Sequence, residues 1–226
     1  MWREKGVGHE LEFWRHWLET RGYLWPDDYR RRLDGDALLE EPLIVDRLPE
    51  VDADPVAILD VGAGPLTCLG KRHPGRRLEI VPVDALGDEY DRLLAEFEVD
   101  PPIRTQLCPG EELLEKFRPD TFDLAYARNS LDHSYDPLAI LRNMLAVVKP
   151  GGFVVTRHVR AEGEHQSYSG LHQWNFDLED GRCVLWGKAT KHDVAEAVGD
   201  SATVEAFRDD EGGDDWVVCV LTKTKR

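Results

Sequence analysis

"AILDVGAGPLTCLG", residues 57–70, is an apolar run that ends in Asp60 and then breaks into two glycines, Gly62 and Gly64, with Ala63 between them. A G-x-G turn directly after a buried strand lets a ligand come close to the backbone, and the amides of a helix following Gly64 would favour an electron-rich group there. In the dinucleotide fingerprint a third glycine completes G-x-G-x-x-G; that position is Thr67 here, which argues against NAD or FAD. Two acids favour another ligand. Asp60 closes the first strand, and Asp84, in "VPVDALG", closes the second about twenty residues beyond the turn, where a carboxylate can accept hydrogen bonds from both hydroxyls of a ribose. The expected ligand contains a nucleoside and needs no pyrophosphate.

Outward from this turn the elements alternate. Strands are expected at Val56–Asp60, Leu78–Val83, Ile103–Leu107, Phe122–Ala127 and Gly152–Val159. Helices are expected after Gly64 and at Glu89–Phe97, Glu111–Phe117 and Pro137–Val148. Such βαβα alternation predicts an α/β fold, a parallel sheet covered by helices on both faces. Beyond residue 160 "WNFDLEDGRCVLWG" reads as a hairpin around Asp180 and Gly181 and "KHDVAEAV" as a helix. "ATVEAFR" and "WVVCVLTKT" read as closing strands joined by the polar loop "DDEGGDD", 209–215. At the other end, "ELEFWRHWLET" sets Leu11, Trp14 and Leu18 on one helical face with Trp17 beside them, and Gly22 follows as a stop signal. A polar, acid-rich stretch from Pro26 to Pro55 holds a short helix near "ALLEEPLIVDRL". The expected division is an N-terminal helical extension or lid over residues 1–55 and a main domain over 56–226.

The chain has 226 residues, 44 acidic against 28 basic, for a formal net charge of −16. That balance repels nucleic acid and anionic membranes, and no Lys/Arg-dense face with interleaved aromatics offsets it. The expected partner is a small molecule, with a homodimer left open. Cys68, Cys108, Cys183 and Cys219 show no C-x-x-C pair or zinc-finger spacing and read as core residues in a reducing, cytoplasmic setting. No bilayer-length apolar run and no secretory leader are apparent.

In ordered set, "ILDVGAG", "VPVDAL", "CPGEEL", "FDLAYARNSLDH" and "LAVVKPGGFVV" resemble the class I S-adenosylmethionine-dependent methyltransferases over roughly residues 56–160. The resemblance implies a Rossmann-like, doubly wound, mostly parallel seven-stranded sheet with an antiparallel last strand and a hairpin insertion after strand five. It implies S-adenosylmethionine as cofactor: Gly62, Ala63 and Gly64 along the methionine and ribose, Asp60 near the amino group and Asp84 on the ribose hydroxyls. Ala85 and Leu86 would pack along the adenine and Gly110 and Glu111 flank it, although "CPGEEL" departs from the family's "GDAEEL". Arg128, Asn129 and Ser130 would surround the reactive sulfonium.

Methyl transfer requires chiefly alignment, but a hydroxyl acceptor benefits from a base. His133 is the candidate base, with Asp132 orienting it; alternatively "LDH" merely caps the helix beginning near Pro137, with Asp136 as N-cap. A second constellation, "HQSYSGLHQWNF", offers Tyr168, His172, Trp174 and Asn175 as acceptor contacts, or a hairpin rim that simply buries Trp174 and Phe176. Trp14 and Trp17 would close the pocket or pack. Asp132, His133, His165 and His172 suit a divalent cation such as magnesium, but at no metal-motif spacing. The favoured activity is O-methylation of a saccharide or sugar-containing metabolite, the alternatives being amine or carboxylate methylation or another alkyl transfer from the same cofactor. An oxidoreductase and a non-catalytic nucleoside-binding module are the competitors from other classes.

Overall fold

A computed structural model describes residues 2–209 and 215–225 of the chain. Seven strands form the main sheet: β1 (Val56–Val61), β2 (Leu78–Asp84), β3 (Gln106–Leu107), β4 (Phe122–Arg128), β5 (Val148–Val159), β9 (Ala202–Asp209) and β10 (Trp216–Lys223). Their order is β3-β2-β1-β4-β5-β10-β9, with β10 antiparallel to both neighbours and the remaining described pairings parallel. The expected doubly wound α/β sheet is therefore present. Its centre follows from composition: "FDLAYA" in β4 is buried at every position, the continuous apolar reading of a strand covered on both faces. The strand order reverses at β1 and β4, and the carboxyl ends of those strands open the crevice in which such folds bind ligands.

A second sheet, β6-β7-β8, is built from β6 (Asn175–Glu179), β7 (Arg182–Trp186) and β8 (Lys191–Asp193). The first two are the expected hairpin, turning at Asp180 and Gly181, which both have positive φ. "KHDVAEAV" divides into β8 and α8 (Val194–Val198), with Asp193 accepting from the Glu196 amide as N-cap. Within the loop "DDEGGDD", residues 210–214 lie outside the described residues.

The helix expected after Gly64 does not form. Residues 65–77 run as turns and bends whose backbone groups are taken by the N-terminal segment: the Leu39 amide donates to Arg72 O, and the Lys71 and Arg72 amides donate to Ala37 O. Thr67 ties the stretch locally, its hydroxyl accepting from the Leu69 amide. The sheet face that helix would have covered is filled by Leu39, Leu43, Ile44, Leu48 and Val51, from the segment around α3 (Pro42–Val45), packed on Ile58, Leu124 and Val155. β3 is confined to Gln106–Leu107, short of the expected Ile103–Leu107, and just before it the Thr105 hydroxyl donates to Gly64 O, tying the segment to the glycine turn.

The first helix, α1, runs over Trp2–Glu19 and starts earlier than Glu10. Val7, Leu11, Trp14, Trp17 and Leu18 pack with Leu66 and with Tyr90, Leu93 and Leu94 of α4 (Gly87–Glu96). That tertiary contact extends the helix through Gly6 and Gly8, residues of low helix propensity. α2 (Pro26–Leu33) follows, and α5 (Leu113–Lys116), α6 (Pro137–Val147) and α7 (Glu162–His165) complete the helices used below. No helix among the described residues is long and apolar enough to cross a membrane.

Candidate active site

A cavity of about 740 Å³ lies over the carboxyl ends of β1, β2 and β4, in the size range of small-molecule pockets. Its floor is the opening motif. Gly62 and Gly64 have φ of +71° and +66°, and a Cβ on Gly62 would lie 2.3 Å from Ser130 Cβ, so only glycine admits the two strand ends this close together. The turn's amides are all engaged within the protein: Gly62 and Ala63 donate to Val83 O, and Gly64 donates to Asp84 Oδ2 at 3.0 Å. With no helix behind it, the turn acts by anchoring the second acid. Asp84 Oδ1 also accepts from the Leu86 amide at 2.9 Å, which fixes the carboxylate's orientation.

Thr67, at the third-glycine position, donates its hydroxyl to Asp60 Oδ2 at 2.6 Å. Burial pushes the Asp60 carboxyl up to about 6, opposed by that hydrogen bond and by Arg32. Asp84 is likewise pushed up to about 6 by burial, against the amides of Leu86 and Gly64. Both acids thus sit in a site that favours a cationic or hydroxyl-rich guest to compensate their charge.

All twelve residues expected around the cofactor line this cavity: Asp60, Gly62, Ala63, Gly64, Asp84, Ala85, Leu86, Gly110, Glu111, Arg128, Asn129 and Ser130. Several of their side chains are also structural. Asn129 Oδ1 accepts from the Val159 amide, the Ser130 hydroxyl donates to Val61 O, and Glu111 Oε1 accepts from the amides of Tyr135 and Asp136. The Arg128 guanidinium lies over the Trp216 ring.

α6 is capped by Asp136, whose Oδ1 accepts from the Ala139 amide. Asp132 and His133, in the preceding 3₁₀ turn 131–133, are thereby left out of the cap. His133 and His172 both line the cavity, while Asp132 is buried behind them at 1% exposure. His172 Nδ1 lies 2.8 Å from Asp132 Oδ2, His133 Nε2 lies 3.1 Å from His172 Nδ1, and His133 Nε2 lies 3.4 Å from Asp132 Oδ2. Although burial works against its charged form, the hydrogen bond and charge of Asp132 raise the His172 pKa. Against its own burial, Asp132 is held below the usual carboxylate range by His133 and His172.

Tyr168, Trp174 and Asn175, expected to contact an acceptor, do not line the cavity. Asn175 is fully buried: Nδ2 donates to Tyr168 Oη and to Trp186 O, and Oδ1 accepts from the Glu164 amide, fastening α7 to the second sheet. Trp174 Nε1 donates to Ser134 O while its ring packs against the core. These residues meet each other because β6 must be docked, and that docking consumes their polar groups. His165 is exposed on α7, outside the histidine cluster.

Trp14 and Trp17 do line the cavity, joined by Val7, Glu10 and Phe13 of α1. Arg32 is a further lining residue that sequence reading passed over. Its Nη1 donates to Leu66 O and its Nε to Asp28 Oδ2, and its guanidinium stacks over Trp14 and Trp17. The only signal for it was the Asp28 to Arg32 spacing of four on a short proline-started helix.

A family model described as a methyltransferase domain matches residues 29–199. In sequence the chain is similar to an uncharacterised methyltransferase of Schizosaccharomyces pombe, 29% identical over 174 residues that cover 68% of this chain and 62% of that protein. In fold it is similar to the methyltransferase solved in complex with the Haloferax volcanii Trm112 activator, at 14% identity and a TM-score of 0.56, covering 93% of this chain and 97% of that one. It is also similar to Haemonchus contortus phosphoethanolamine N-methyltransferase 2, solved with phosphomonomethylethanolamine and S-adenosylhomocysteine, at 13% identity, a TM-score of 0.55 and 91% and 60% coverage. The chain thus spans less than two thirds of the length of the fission-yeast relative. Matched by the family model over well more than half its length, and carrying the strand order described above, the chain belongs to the methyltransferase domain family, among the class I S-adenosylmethionine-dependent methyltransferases.

Proposed function

We propose that this protein transfers the methyl group of S-adenosylmethionine to a hydroxyl of a small polar acceptor, with a saccharide or sugar-bearing metabolite favoured. The observation that carries the reading is that one cavity joins the glycine turn and its two acids to the Asp132–His133–His172 cluster. The residues fit the cofactor: Asp84 has a fixed carboxylate for ribose hydroxyls, and Asp60, beside Arg32, marks the end that would take the amino acid portion. Arg32 and Arg128 would meet its carboxylate, and Ala85, Leu86 and Gly110 would bound the adenine. When bound, S-adenosylmethionine supplies an electrophilic methyl on a cationic sulfur.

The chain's own contribution is alignment, exclusion of water and handling of one proton. α1 acts as the lid, placing Glu10, Phe13 and Trp14 over the turn. The histidine cluster stands where it can draw the proton from an acceptor hydroxyl, and Asp132 holds His172 in orientation. With Tyr168 and Trp174 away from the cavity, the aromatic walls available to a sugar ring are Phe13, Trp14, Trp25, Tyr135 and Trp216. An amine or carboxylate acceptor is the alternative within the same chemistry.

The test is incubation with methyl-labelled S-adenosylmethionine and pooled metabolites, followed by chemical identification of the labelled atom. Label on oxygen, lost in His133→Ala while calorimetric cofactor affinity is retained, supports the reading. Label on nitrogen moves the acceptor to the alternative, and no heat with either S-adenosylmethionine or S-adenosylhomocysteine overturns the activity.

A further inference from the structure

We infer that Asp132, His133 and His172 form a binding site for a divalent first-row transition ion at the wall of the cavity. Asp132 Oδ2, His133 Nε2 and His172 Nδ1 make a closed triangle with edges of 2.8, 3.1 and 3.4 Å. Ligand atoms about 2.0–2.1 Å from a common ion stand about 2.9 Å apart at octahedral angles and about 3.4 Å apart at tetrahedral ones. The observed edges span that interval.

Protons alone satisfy the triangle poorly. With Asp132 as carboxylate, a hydrogen on both ring nitrogens sets two N–H groups against each other across 3.1 Å. A hydrogen on His172 alone makes the 2.8 Å bond to Asp132 but leaves the His133 lone pair facing the carboxylate across 3.4 Å, and a hydrogen on His133 alone leaves the His172 lone pair facing it across 2.8 Å. One cation at the centre is attractive to all three corners at once. A second observation points the same way: Asp132 is almost fully buried, and its Oδ1 has no hydrogen-bond partner, so the carboxylate that contributes Oδ2 to the triangle still holds unused acceptor capacity.

Two further carboxylates stand beside the triangle, one near the outer nitrogen of His133 and one near the inner nitrogen of His172. His133 Nδ1, the ring nitrogen facing away from the triangle, lies 3.8 Å from Glu10 Oε2, and Glu162 Oε1 lies 4.0 Å from His172 Nδ1. Because His133 and His172 face the cavity, the remaining coordination positions open toward the acceptor and not into the core.

Two imidazoles and one carboxylate suit iron(II), manganese(II), cobalt(II) or zinc(II), whereas magnesium prefers a shell of oxygens. The donor set therefore favours these ions over the magnesium raised as one option for the sequence's acids and histidines. His165 takes no part in it.

The use made of the ion rests on the methyl-transfer reading; its binding does not. A Lewis acid here lowers the pKa of the acceptor hydroxyl. With the ion bound, the two ring nitrogens that would otherwise take the proton are its ligands, and the O–H proton passes instead to Glu10, which lines the cavity. The oxygen forms its bond to the methyl carbon, and the electron pair of the breaking C–S bond returns to sulfur to leave the neutral thioether.

The experiment is calorimetry of the full chain, stripped with a chelator, against zinc, cobalt and magnesium chlorides, with visible absorption of the cobalt form. One zinc or cobalt ion per chain is expected, with magnesium at least about 100-fold weaker. His133→Ala and His172→Gln should each weaken zinc by about 100-fold or more, while His165→Ala binds as the original chain does. Should either cluster variant fail to fold, histidine NMR of the unaltered chain decides: cobalt must shift or broaden His133 and His172 selectively. Binding unaffected by the cluster variants, cobalt signals at other histidines, or no binding of any of these ions overturns the site. Ion binding without heat from S-adenosylmethionine would instead leave the site standing and remove the methyl-transfer reading.

Discussion

Trp14 lies over Gly64: a Cβ built on the glycine would come within 2.8 Å of Trp14 Cζ2. The indole is held there by its Nε1 donating to Glu10 Oε1 at 2.7 Å and by edge contacts with Trp17 and Tyr90. One turn of α1 therefore lies over the glycine floor, and on the lid reading proposed above a bound cofactor would pack against it. Hydrogen exchange across α1 should slow when S-adenosylhomocysteine is added, and Trp14→Ala should weaken cofactor binding more than it shifts the unfolding midpoint. Unchanged exchange in α1 on saturation would remove its role as a lid.

Gly62 and Gly181 separate backbone strain from close approach. Both have positive φ, +71° and +77°, but the Cβ of Gly62 would overlap Ser130 while Gly181 faces open space. Urea unfolding should show Gly181→Ala costing about 1–2 kcal/mol, the left-handed penalty alone. Gly62→Ala should cost about 2–5 kcal/mol, because overpacking adds to that penalty. Equal losses would mean that β1 and β4 need not meet so closely.

The raised pKa values of Asp60 and Asp84 have a defined direction. Each is pushed from an ordinary value near 3.8 to about 6, so the folded protein binds these protons more tightly than the unfolded chain. They subtract stability as pH rises from about 4 to 6, and they are ionised above that window. A cationic cofactor needs the ionised forms, so its affinity should be greatest above about pH 6 and fall as pH drops through it. Asp84→Asn should lose about 1.5–3 kcal/mol of cofactor binding at neutral pH, the worth of hydrogen bonds to a charged group. Calorimetry from about pH 7.5 to about pH 5 checks both; an affinity flat across that range would exclude these acids from cofactor binding.

His158 has the opposite sign. It is buried on β5 against Phe176, neither ring nitrogen has a partner, and burial lowers its pKa from 6.5 to about 4. Its neutral form contributes stability above pH 6.5 that is lost as pH falls toward 4, about 3 kcal/mol in all. Asp60 and Asp84 gain stability over the same interval and mask it, so the difference between His158→Leu and the original chain is the informative quantity. The variant should gain on the original chain progressively as pH falls from 6.5, by unfolding measurements at each pH. A constant difference would show that His158 protonates as freely in the folded protein as in the unfolded one.

The strand core was legible because burial on both faces leaves a continuous apolar signature in "AILDV" and "FDLAYA", and because Asp136 and Pro137 announce the start of α6 locally. The helix expected after Gly64 was misread for a reason outside its own window: Ala37 and Leu39 pair with the backbone groups of residues 71 and 72, and Leu39, Leu43, Ile44, Leu48 and Val51 fill the face it would have covered. Tyr168, Trp174 and Asn175 had the composition of a sugar-binding rim, yet composition carries no direction, and their polar atoms turn toward α7, Ser134 and β7.

What the sequence by itself determined is the alternating α/β framework, the glycine turn and the two strand-end acids, since each depends on a periodicity or spacing within a few residues. Only the tertiary structure decided which side chains share the cavity. His172 stands forty positions from Asp132 and meets it through the docking of the segment before β6, while α1 reaches the turn by packing on α4. Such meetings depend on how separate elements bury their apolar faces against one another, and no local pattern records that choice.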